Sequence, residues 1–383
     1  MTRRVSATGH GRTGSHARVR VLVVNAGSTS VKLSLLDEHD QLLLSTSLTS
    51  PRGQVDETAL AGEIGRAGQI DAVGHRIVHG GSEFVESVLI DDRVRRRLDA
   101  LVDLAPLHQP KSLHALDLVS RTLPEIPQVG CFDTAFHARI PAAAATYALP
   151  SEWRKRWDLR RFGFHGLSHA YASRRAAALL GEDTGRLRIV TCHLGSGASL
   201  AAVDRGVSVD TTMGFTPLEG LVMATRSGSL DPGLILWLEE HVGMPPSELA
   251  ATLEYRSGLL GLTGSADMRT ILTAEEAGDA DAALAIGVYL HRLRAGIASM
   301  AAAMDGLDAL VFTGGVGENS PEIRARAAAG TGFLGIELDL ARNVSAELDA
   351  EIGAEGAAVR VVAIRAREDL EIAHDVRRVL TAR

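Results

Sequence analysis

The sequence predicts an α/β protein made of two duplicated lobes with a ligand cleft between them. Two hairpin-like segments carry this prediction, one in each half of the chain. Residues 21–37 and 189–204 both contain an apolar strand, a turn with a Gly-Ser pair, and a return strand that closes on Asp. A third segment, residues 311–320, is an apolar strand that leads through a Gly-rich turn into a helix. Strands that alternate with helices in this way are typical of α/β folds.

The turn of the first hairpin, residues 25–30, offers backbone N–H groups and hydroxyls in a small space, and Lys32 follows it. Because Gly27 has no Cβ, an anion could approach this backbone closely. Taken alone, the segment is equally typical of an ordinary polar hairpin turn, and that interpretation is the simpler one. Its recurrence at Gly195-Ser196 favours a phosphate-facing turn from each lobe, the layout of two-lobed ATP-dependent folds.

Composition narrows the class of protein. The 383 residues suggest two or three domains. A net charge of −7 gives no electrostatic case for nucleic acid, and no apolar run approaches the roughly 20 residues of a membrane span. Cys131 and Cys192 lie in apolar runs, as expected of buried thiols in a reduced cytoplasm. Residues 1–18 are rich in Arg, Gly and Ser and lack the apolar core of a secretory signal, so we interpret them as a disordered extension.

Arg76 and Asp133 each belong to a predicted buried strand. Val73, Ile77 and Val78 surround Arg76, so its guanidinium should project from that strand toward a planar oxyanion. Asp133 closes an apolar run, a position that suits a catalytic carboxylate and equally suits a helix cap.

Two histidines occur four residues apart in the next motif. His165 lies in a Gly-flanked loop and is expected to face a cleft, whereas His169 is expected to pack inside the following helix. No H-E-x-x-H signature accompanies them, so a zinc site is not indicated.

The second half adds an irregular segment, residues 210–233, with Glu219 and Arg226. A long irregular segment within a compact domain is usually functional. Residues 257–266 should form a Gly-rich loop before a helix capped by Asp267, and Ser320 should start another helix after the Gly-rich turn at 314–319. Neither the Rossmann nor the P-loop spacing is present.

Glu368 falls in the first turn of a terminal helix, where the helix dipole alone could explain it.

Together these segments resemble the acetokinase family, the acetate kinases of the actin-like ATPase superfamily, from about residue 21 to the C-terminus. The motifs that carry the resemblance are, in order, NAGSTSVK, GHRIVHGG, APLHQP, FDTAFH, GFHGLSH, HLGSGAS, DTTMGFTPLEGLVMATRSGSLDPG, SGLLGLTG, DMR and FTGGVGENS. The resemblance implies two ribonuclease H-like α/β lobes with the active site in the cleft between them. We expect the lobes to comprise residues 19–137 with 372–383, and residues 138–371.

The resemblance also implies an activity: reversible transfer of the γ-phosphoryl group of ATP to acetate, giving acetyl phosphate and ADP. Mg²⁺ is the implied metal, with Mn²⁺ as an alternative, and a cytoplasmic homodimer is the implied assembly. Arg76 and Arg226 match the residues that hold the carboxylate and the migrating phosphoryl group. Asp133 matches the acidic group beside the acetate, and His165 matches the residue that, with Arg226, stabilises the transition state.

The remaining implied contacts follow the motifs. The metal contacts are Asn25 and Glu368. The substrate pocket comprises Arg76, Val78, Leu107, Phe164 and Pro217. The ATP contacts are Ser28, Ser30, Lys32, His193, Gly195, Ser196, Gly197, Asp267, Met268, Arg269, Gly315, Val316, Gly317, Glu318 and Asn319. Two departures from the family pattern stand out, since Ser196 replaces a usual Asn and Arg365-Ala366-Arg367 replaces a usual Pro-Thr-Asn before Glu368.

Two other functions fit the same motifs less well. A propionate or butyrate kinase of the same family would differ only in pocket size, and Val78, where Ala or Gly would leave more room, favours acetate. One methylene is worth only about 1–3 kcal/mol, so some use of propionate is expected. A protein-binding, actin-like ATPase would need an appended peptide-binding domain or a polymerising surface, and the sequence indicates neither.

Overall fold

A computed structural model describes residues 19–27, 30–50, 55–106 and 109–382. The predicted extension at 1–18 and two predicted contacts, Ser28 and Leu107, lie outside these residues.

The described residues form two six-stranded sheets with the same strand order. The strands of the first sheet are β1 (Val21–Ala26), β2 (Ser30–Leu36), β3 (Leu42–Thr49), β4 (Ala72–Ile77), β5 (Val88–Leu89) and β6 (Gln128–Phe132). Those of the second are β7 (Arg188–Leu194), β8 (Ala198–Asp204), β9 (Val207–Thr211), β10 (Ala309–Thr313), β11 (Ala350–Glu351) and β12 (Arg360–Ala363). The orders are β3-β2-β1-β4-β6-β5 and β9-β8-β7-β10-β12-β11. The predicted duplication of an α/β lobe is therefore confirmed.

Strand directions repeat as well. In each lobe the first strand pairs antiparallel with the second and parallel with the fourth, and the short fifth strand pairs antiparallel with the sixth. Both predicted turns therefore lie at the same end of the central strand of their sheets. Gly27 N donates to Ser30 O at 2.8 Å in the first turn, and Gly195 N donates to Gly197 O at 2.9 Å in the second.

Fifteen α-helices connect and cover the sheets in the described residues. They are α1 (Glu57–Arg66), α2 (Asp92–Asp99), α3 (Gln109–Thr122), α4 (Ala142–Ala145), α5 (Ser151–Trp157), α6 (Gly166–Leu180), α7 (Pro232–Glu240), α8 (Pro246–Tyr255), α9 (Gly258–Thr263), α10 (Met268–Glu276), α11 (Ala280–Ala303), α12 (Gly314–Asn319), α13 (Pro321–Ala329), α14 (Leu340–Ser345) and α15 (Glu368–Thr381). Asp267 caps α10 by accepting from Thr270 N at 3.0 Å, and Ser320 caps α13 by accepting from Ile323 N at 3.3 Å, as predicted.

The predicted loops at 257–266 and 314–319 are wrong in part, because each contains a short helix, α9 and α12. In α9, Leu259 is buried, and its N–H donates to Met223 O at 2.9 Å. The neighbouring irregular segment thus supplies partners for the first turn of α9. A single sequence read locally does not reveal such partners.

Helices α6 and α15 are exchanged between the sheets. α6 follows the first sheet in the chain, yet Ala172 and Ala176 pack in a core with Ile189 and Val311 of the second sheet. α15 follows the second sheet, and its residues Ile372, Ala373 and Val376 pack against Val21, Val23 and Ala72 of the first. The two helices also contact each other through an Arg174–Glu371 ion pair. The first sheet is therefore covered by a helix that follows the second sheet in the chain, and the second sheet is covered by a helix that follows the first.

Two helices present apolar side chains to solvent. None of the residues of α7 is buried, and Leu236 and Trp237 are more than half exposed. α5 exposes Trp153 and Trp157 beside Arg156, whose guanidinium lies 4.9 Å from the centroid of the Trp157 ring. Among the described residues, no helix is long and apolar enough to cross a membrane.

Candidate active site

A cleft of about 750 Å³ lies at the end of both sheets where the two turns project. The predicted site residues that line it are Asn25, Ser30, Lys32, Arg76, Val78, Asp133, Phe164, His165, His193, Gly195, Ser196, Gly197, Pro217, Arg226, Gly315, Glu318 and Glu368. They come from both lobes. The structure therefore gathers residues separated by up to 343 positions into one site.

Arg76 and Asp133 form the centre of the first lobe's contribution. They come from neighbouring strands, because Arg76 is the penultimate residue of β4 and Asp133 directly follows β6. Arg76 Nε donates to Asp133 Oδ1 at 2.9 Å, and Nη2 donates to Oδ2 at 2.6 Å. No side chain caps the 3-10 turn that follows Asp133, so the alternative role as a helix cap is excluded.

Burial and the opposite charge of the partner both shift the pKa values of Arg76 and Asp133. Desolvation raises the pKa of Asp133 above its ordinary value, against the opposing charge of Arg76. Burial alone would lower the pKa of Arg76, but Asp133 and Glu368 outweigh it, so the pKa of Arg76 is raised and the guanidinium stays charged. A permanently charged, in-plane donor group thus faces the cleft.

Glu368 joins the same network from the start of α15. Asn25 Nδ2 donates to Glu368 Oε2 at 2.8 Å, and Arg76 Nη1 donates to Asn25 Oδ1 at 3.2 Å. Burial would raise the pKa of Glu368, but Arg76, His193 and the Asn25 amide outweigh it, so the pKa is lowered. The helix dipole alone does not explain Glu368, because its carboxylate also accepts a hydrogen bond from Asn25 in the wall of the cleft.

These oxygen groups suit a small hard cation. Glu368 supplies an ionised carboxylate and Asn25 an amide oxygen, and Asp133 adds a second carboxylate within the same hydrogen-bonded network. Mg²⁺ prefers one or two carboxylates and completes its shell with water and substrate phosphates. In chemical type, the donor set therefore fits the metal that the family resemblance implies.

Two half-buried histidines, His165 and His193, line the second lobe's side of the cleft. The rings of His165 and His193 stack with centroids 4.4 Å apart. His165 Nδ1 contacts Ser199 Oγ at 2.9 Å, and the same hydroxyl contacts His169 Nε2 at 2.8 Å. Burial, with neighbouring positive charge, holds the pKa of His165 well below its ordinary value. His165 is therefore a neutral hydrogen-bonding group, and His169 is packed as predicted.

The second turn approaches both His165 and Arg226. A Cβ added at Gly197 would lie 3.2 Å from His165 Nε2 and 3.3 Å from Arg226 Nη1. The turn can pass this close to the two side chains because Gly197 has no side chain of its own. Ser196 is exposed, and its carbonyl accepts from Ala224 N at 3.1 Å.

Arg226 has a partner that the sequence did not reveal. Its Nε donates to Glu254 Oε1 at 2.7 Å, and its Nη1 donates to Pro217 O at 3.2 Å. Glu219, the other charged residue of the irregular segment considered above, pairs instead with Arg161 at 2.9 Å.

One part of the cleft wall is apolar. Val78 and Phe164 are 9% and 1% exposed and border it, and Pro217 closes the same region from the irregular segment. Tyr147 fixes that segment, because its hydroxyl donates to Glu219 at 2.6 Å and accepts from Phe215 N at 2.9 Å.

Several predicted ATP contacts lie away from the cleft lining. Asp267 and Arg269 form an exposed pair at the start of α10, and Met268 is buried in the core of the second lobe. Val316, Gly317 and Asn319 belong to α12, of which Gly314, Gly315 and Glu318 border the cleft. The nucleotide roles of all the predicted ATP contacts remain predictions, and for these residues the cleft lining adds no support: Asp267, Met268, Arg269, Val316, Gly317 and Asn319.

Four residues that the sequence analysis did not select also belong to the site or support it. Lys111 lines the cleft, Ser199 links two histidines, and Glu254 binds Arg226. Arg324, 2% exposed, donates from Nη1 to the carbonyls of Gly317 and Glu318 at 2.9 and 2.8 Å and so braces α12. Of these, Lys111 offered a local signal, since it directly follows the second proline of the APLHQPK stretch, where helix α3 begins.

The duplicated topology, with arginines, histidines and carboxylates gathered between two lobes, defines the class of two-lobed ATP-using kinases. Residues 58–374 match the model of the acetokinase family. An acetate kinase from Gloeobacter violaceus is 43% identical over 93% of this chain and 98% of its own length. The chain belongs to the acetokinase family.

Solved structures agree. The acetate kinase of Porphyromonas gingivalis is 36% identical and superposes with a TM-score of 0.86, covering 94% of this chain and all of its own. A propionate kinase from Francisella tularensis is 35% identical, also with a TM-score of 0.86 and the same coverage. This level of overall likeness does not separate the two acyl substrates.

Proposed function

We propose that this protein is an ATP:acetate phosphotransferase that converts ATP and acetate to ADP and acetyl phosphate and runs in both directions. The observation that carries the proposal is that Arg76 and Arg226, one from each lobe, line the same cleft as the neutral His165 and the apolar side chains of Val78, Phe164 and Pro217. Acetate and the nucleotide's phosphates are both anions, so bringing them together against their repulsion is the main task of such a site.

The acetate carboxylate is already a nucleophile, so no strong base is needed. One of its oxygens forms the new bond to the γ-phosphorus while the bond to the β,γ-bridging oxygen breaks, and ADP leaves with that electron pair. Arg76 and Arg226 hold the equatorial oxygens and the carboxylate, and His165 donates or accepts a hydrogen bond without adding charge. Asn25 and Glu368, with Asp133 nearby, would hold Mg²⁺, which supplies charge neutralisation when bound.

The apolar pocket supports acetate over longer acids. Val78 and Phe164 are almost wholly buried, so neither can move aside easily for a second methylene. The likeness to a propionate kinase keeps propionate as the alternative substrate. A hydroxamate assay with ATP, Mg²⁺ and each of acetate, propionate and butyrate decides between them. The expected order of kcat/KM is acetate, propionate, butyrate, and a preference for propionate would replace the proposal with its alternative.

We further propose a homodimer that uses α7. A nine-residue helix with Leu234, Leu236 and Trp237 and no buried residue would be poorly placed at a free surface. Light scattering after size exclusion should give a dimer for the wild type and a monomer for Trp237→Glu. Trp153→Glu, a change to a similarly exposed tryptophan on α5, is the control and should stay dimeric. A monomeric wild type at micromolar concentration would exclude this assembly.

A further inference from the structure

Glu254 lies in the last turn of α8, outside the cleft but directly behind one of its arginines. Its side chain is 8% exposed, and that of Arg226 is 15% exposed. Glu254 Oε1 accepts from Arg226 Nε at 2.7 Å, which is the distance of a charge-assisted hydrogen bond. A mostly buried carboxylate in this position is costly to retain unless it has a partner, and Arg226 is that partner.

The backbone around this pair is fixed independently. Thr225 Oγ1 donates to Glu254 O at 2.8 Å, and Ser227 N donates to Leu253 O at 3.2 Å. Ser257 N donates to Thr225 O at 2.9 Å. The path of the irregular segment past α8 is thus held by main-chain and hydroxyl bonds on both sides of Arg226. The Glu254 carboxylate is left with a different task, which is to orient the guanidinium.

The orientation it imposes is the one the site needs. Because guanidinium is planar, a carboxylate bound on the Nε edge fixes the plane of the group and leaves Nη1 directed away from that edge. Nη1 accordingly lies 3.2 Å from Pro217 O and close to Gly197, beside the ring of His165. Arg226 lines the cleft while Glu254 stays behind it. The first lobe shows the same pairing, with Asp133 on Nε and Nη2 of Arg76.

We propose that Glu254 is a positioning residue that sets the direction of Arg226 toward the transferring phosphoryl group. The inference rests on the proposed phosphotransfer function. In each lobe a carboxylate then holds the arginine side chain in a fixed orientation, so neither arginine has to be ordered when the substrates bind. Loss of Glu254 should therefore affect turnover more than ground-state nucleotide binding.

The test compares Glu254→Gln, which keeps an acceptor and removes the charge, with Glu254→Asp, which keeps the charge and shortens the side chain. Glu248→Gln is the matched control, a change to an exposed glutamate on the same helix. We expect kcat to fall about 10- to 100-fold in both Glu254 variants, the usual range for a residue that orients a functional side chain. KM for ATP and the melting temperature should change little in comparison, and the control should match the wild type.

A second measurement separates positioning from folding. Affinity for ADP with fluoroaluminate and acetate, which imitates the planar phosphoryl group, should fall in Glu254→Gln while affinity for ADP alone is kept. Adding Glu254→Gln to Arg226→Ala should cause no further loss, because the two residues act as one unit. Normal kcat in folded Glu254 variants, or additive losses in the double variant, would overturn the inference. A wild type that fails to phosphorylate any of the three acids would instead overturn the proposed function.

Discussion

At the scale of single residues, the cleft is built from charges that already have partners. Arg76 is paired with Asp133 and lies 3.9 Å from Glu368, and Arg226 is paired with Glu254. Arginine suits both places because it stays charged when buried and its donors lie in one plane. The pairs leave the guanidinium groups oriented before any substrate arrives, which reduces the entropy lost on binding.

Replacing either arginine should be severe even when the charge is kept. We expect Arg76→Ala and Arg226→Ala each to lower kcat/KM for acetate on the order of 10³-fold, in line with arginines that stabilise phosphoryl transfer elsewhere. Arg76→Lys and Arg226→Lys should recover little, because an ammonium group cannot make both in-plane contacts. Steady-state kinetics on variants with unchanged circular dichroism provide the measurement. Near-normal turnover in an alanine variant would remove that arginine from the mechanism.

The size of the acyl pocket is a second property set by one side chain. Val78→Ala removes two methyl-sized groups from the wall that faces Phe164 and Pro217. Propionate use should rise relative to acetate, mostly through KM, by no more than about 1–3 kcal/mol. Measuring kcat/KM for acetate, propionate and butyrate in both proteins tests this. If the ranking of the acids is unchanged, Val78 does not limit the pocket.

Residue patterns in the sequence located most of the cleft but not the partners of its arginines. Arg76 and Asp133 could be selected because each lies near the end of an apolar strand, and the ends of parallel strands meet at one edge of a sheet. Glu254 could not, since it lies 28 residues from Arg226 on a helix with no distinctive motif. Ser199 was equally hidden, because a serine on a strand of small residues has no local signature.

At the scale of elements, strands were predicted better than the short Gly-rich helices. Alternating or continuous apolar runs in the sequence are the main signal of a strand, and they mark β1, β2, β7 and β8. In the structure, the burial of the residues in these strands follows the apolar pattern of the sequence. α9 and α12 have six residues each, too few to be stable alone, and depend on their neighbours for partners. Local preference could not predict them.

Strand β4 also carries a buried histidine with a testable effect on stability. Desolvation lowers the pKa of His75 to about 4 from its ordinary value of 6.5, against the opposing effect of its hydrogen bond to the Gln128 Oε1 acceptor. The folded protein thus binds this proton less readily than the unfolded chain. The contribution of neutral His75 to the free energy of unfolding is fully present above pH 6.5. It is lost progressively as the pH falls toward 4, at roughly 1.4 kcal/mol per pH unit.

Urea unfolding at pH 7.5 and 5.5 should show the loss. In His75→Gln the difference in unfolding free energy between the two pH values should be smaller than in the wild type by roughly 1.4 kcal/mol. His39→Gln, a change to an exposed histidine, should leave the difference as it is. An equal pH dependence in wild type and His75→Gln would mean that folding does not lower the pKa of His75.

At the scale of the whole molecule, the two lobes share one cleft and are also connected by the two exchanged helices. α6 and α15 cross between the sheets and contact each other, so any closure of the lobes must take place around this pair. Both substrates lie between the lobes in the proposed reaction, and closure would exclude water that could otherwise hydrolyse ATP.

The contact between α15 and the first sheet can be tested at a glycine. A Cβ at Gly74 would lie 2.4 Å from Ile372 Cγ2 and 2.8 Å from Val376 Cγ2, so the helix or the strand must shift. Gly74→Ala should therefore destabilise the protein by about 1–3 kcal/mol, as overpacking does in other cores. Gly62→Ala in α1, where a Cβ meets nothing within 4 Å, is the control and should be neutral or slightly stabilising. Equal melting temperatures for Gly74→Ala and the wild type would show that α15 is not closely packed there.

The place of α15 in the chain bears on how the protein is made. Translation produces the first sheet early, but the helix that covers Val21, Val23 and Ala72 leaves the ribosome only after the whole second sheet has been made. Throughout synthesis of the second lobe, one apolar face of the nascent first sheet therefore waits without its cover and is open to chaperones and proteases. Stalled chains that end before residue 368 should be cut within the first sheet by low concentrations of protease, whereas full-length released chains should resist.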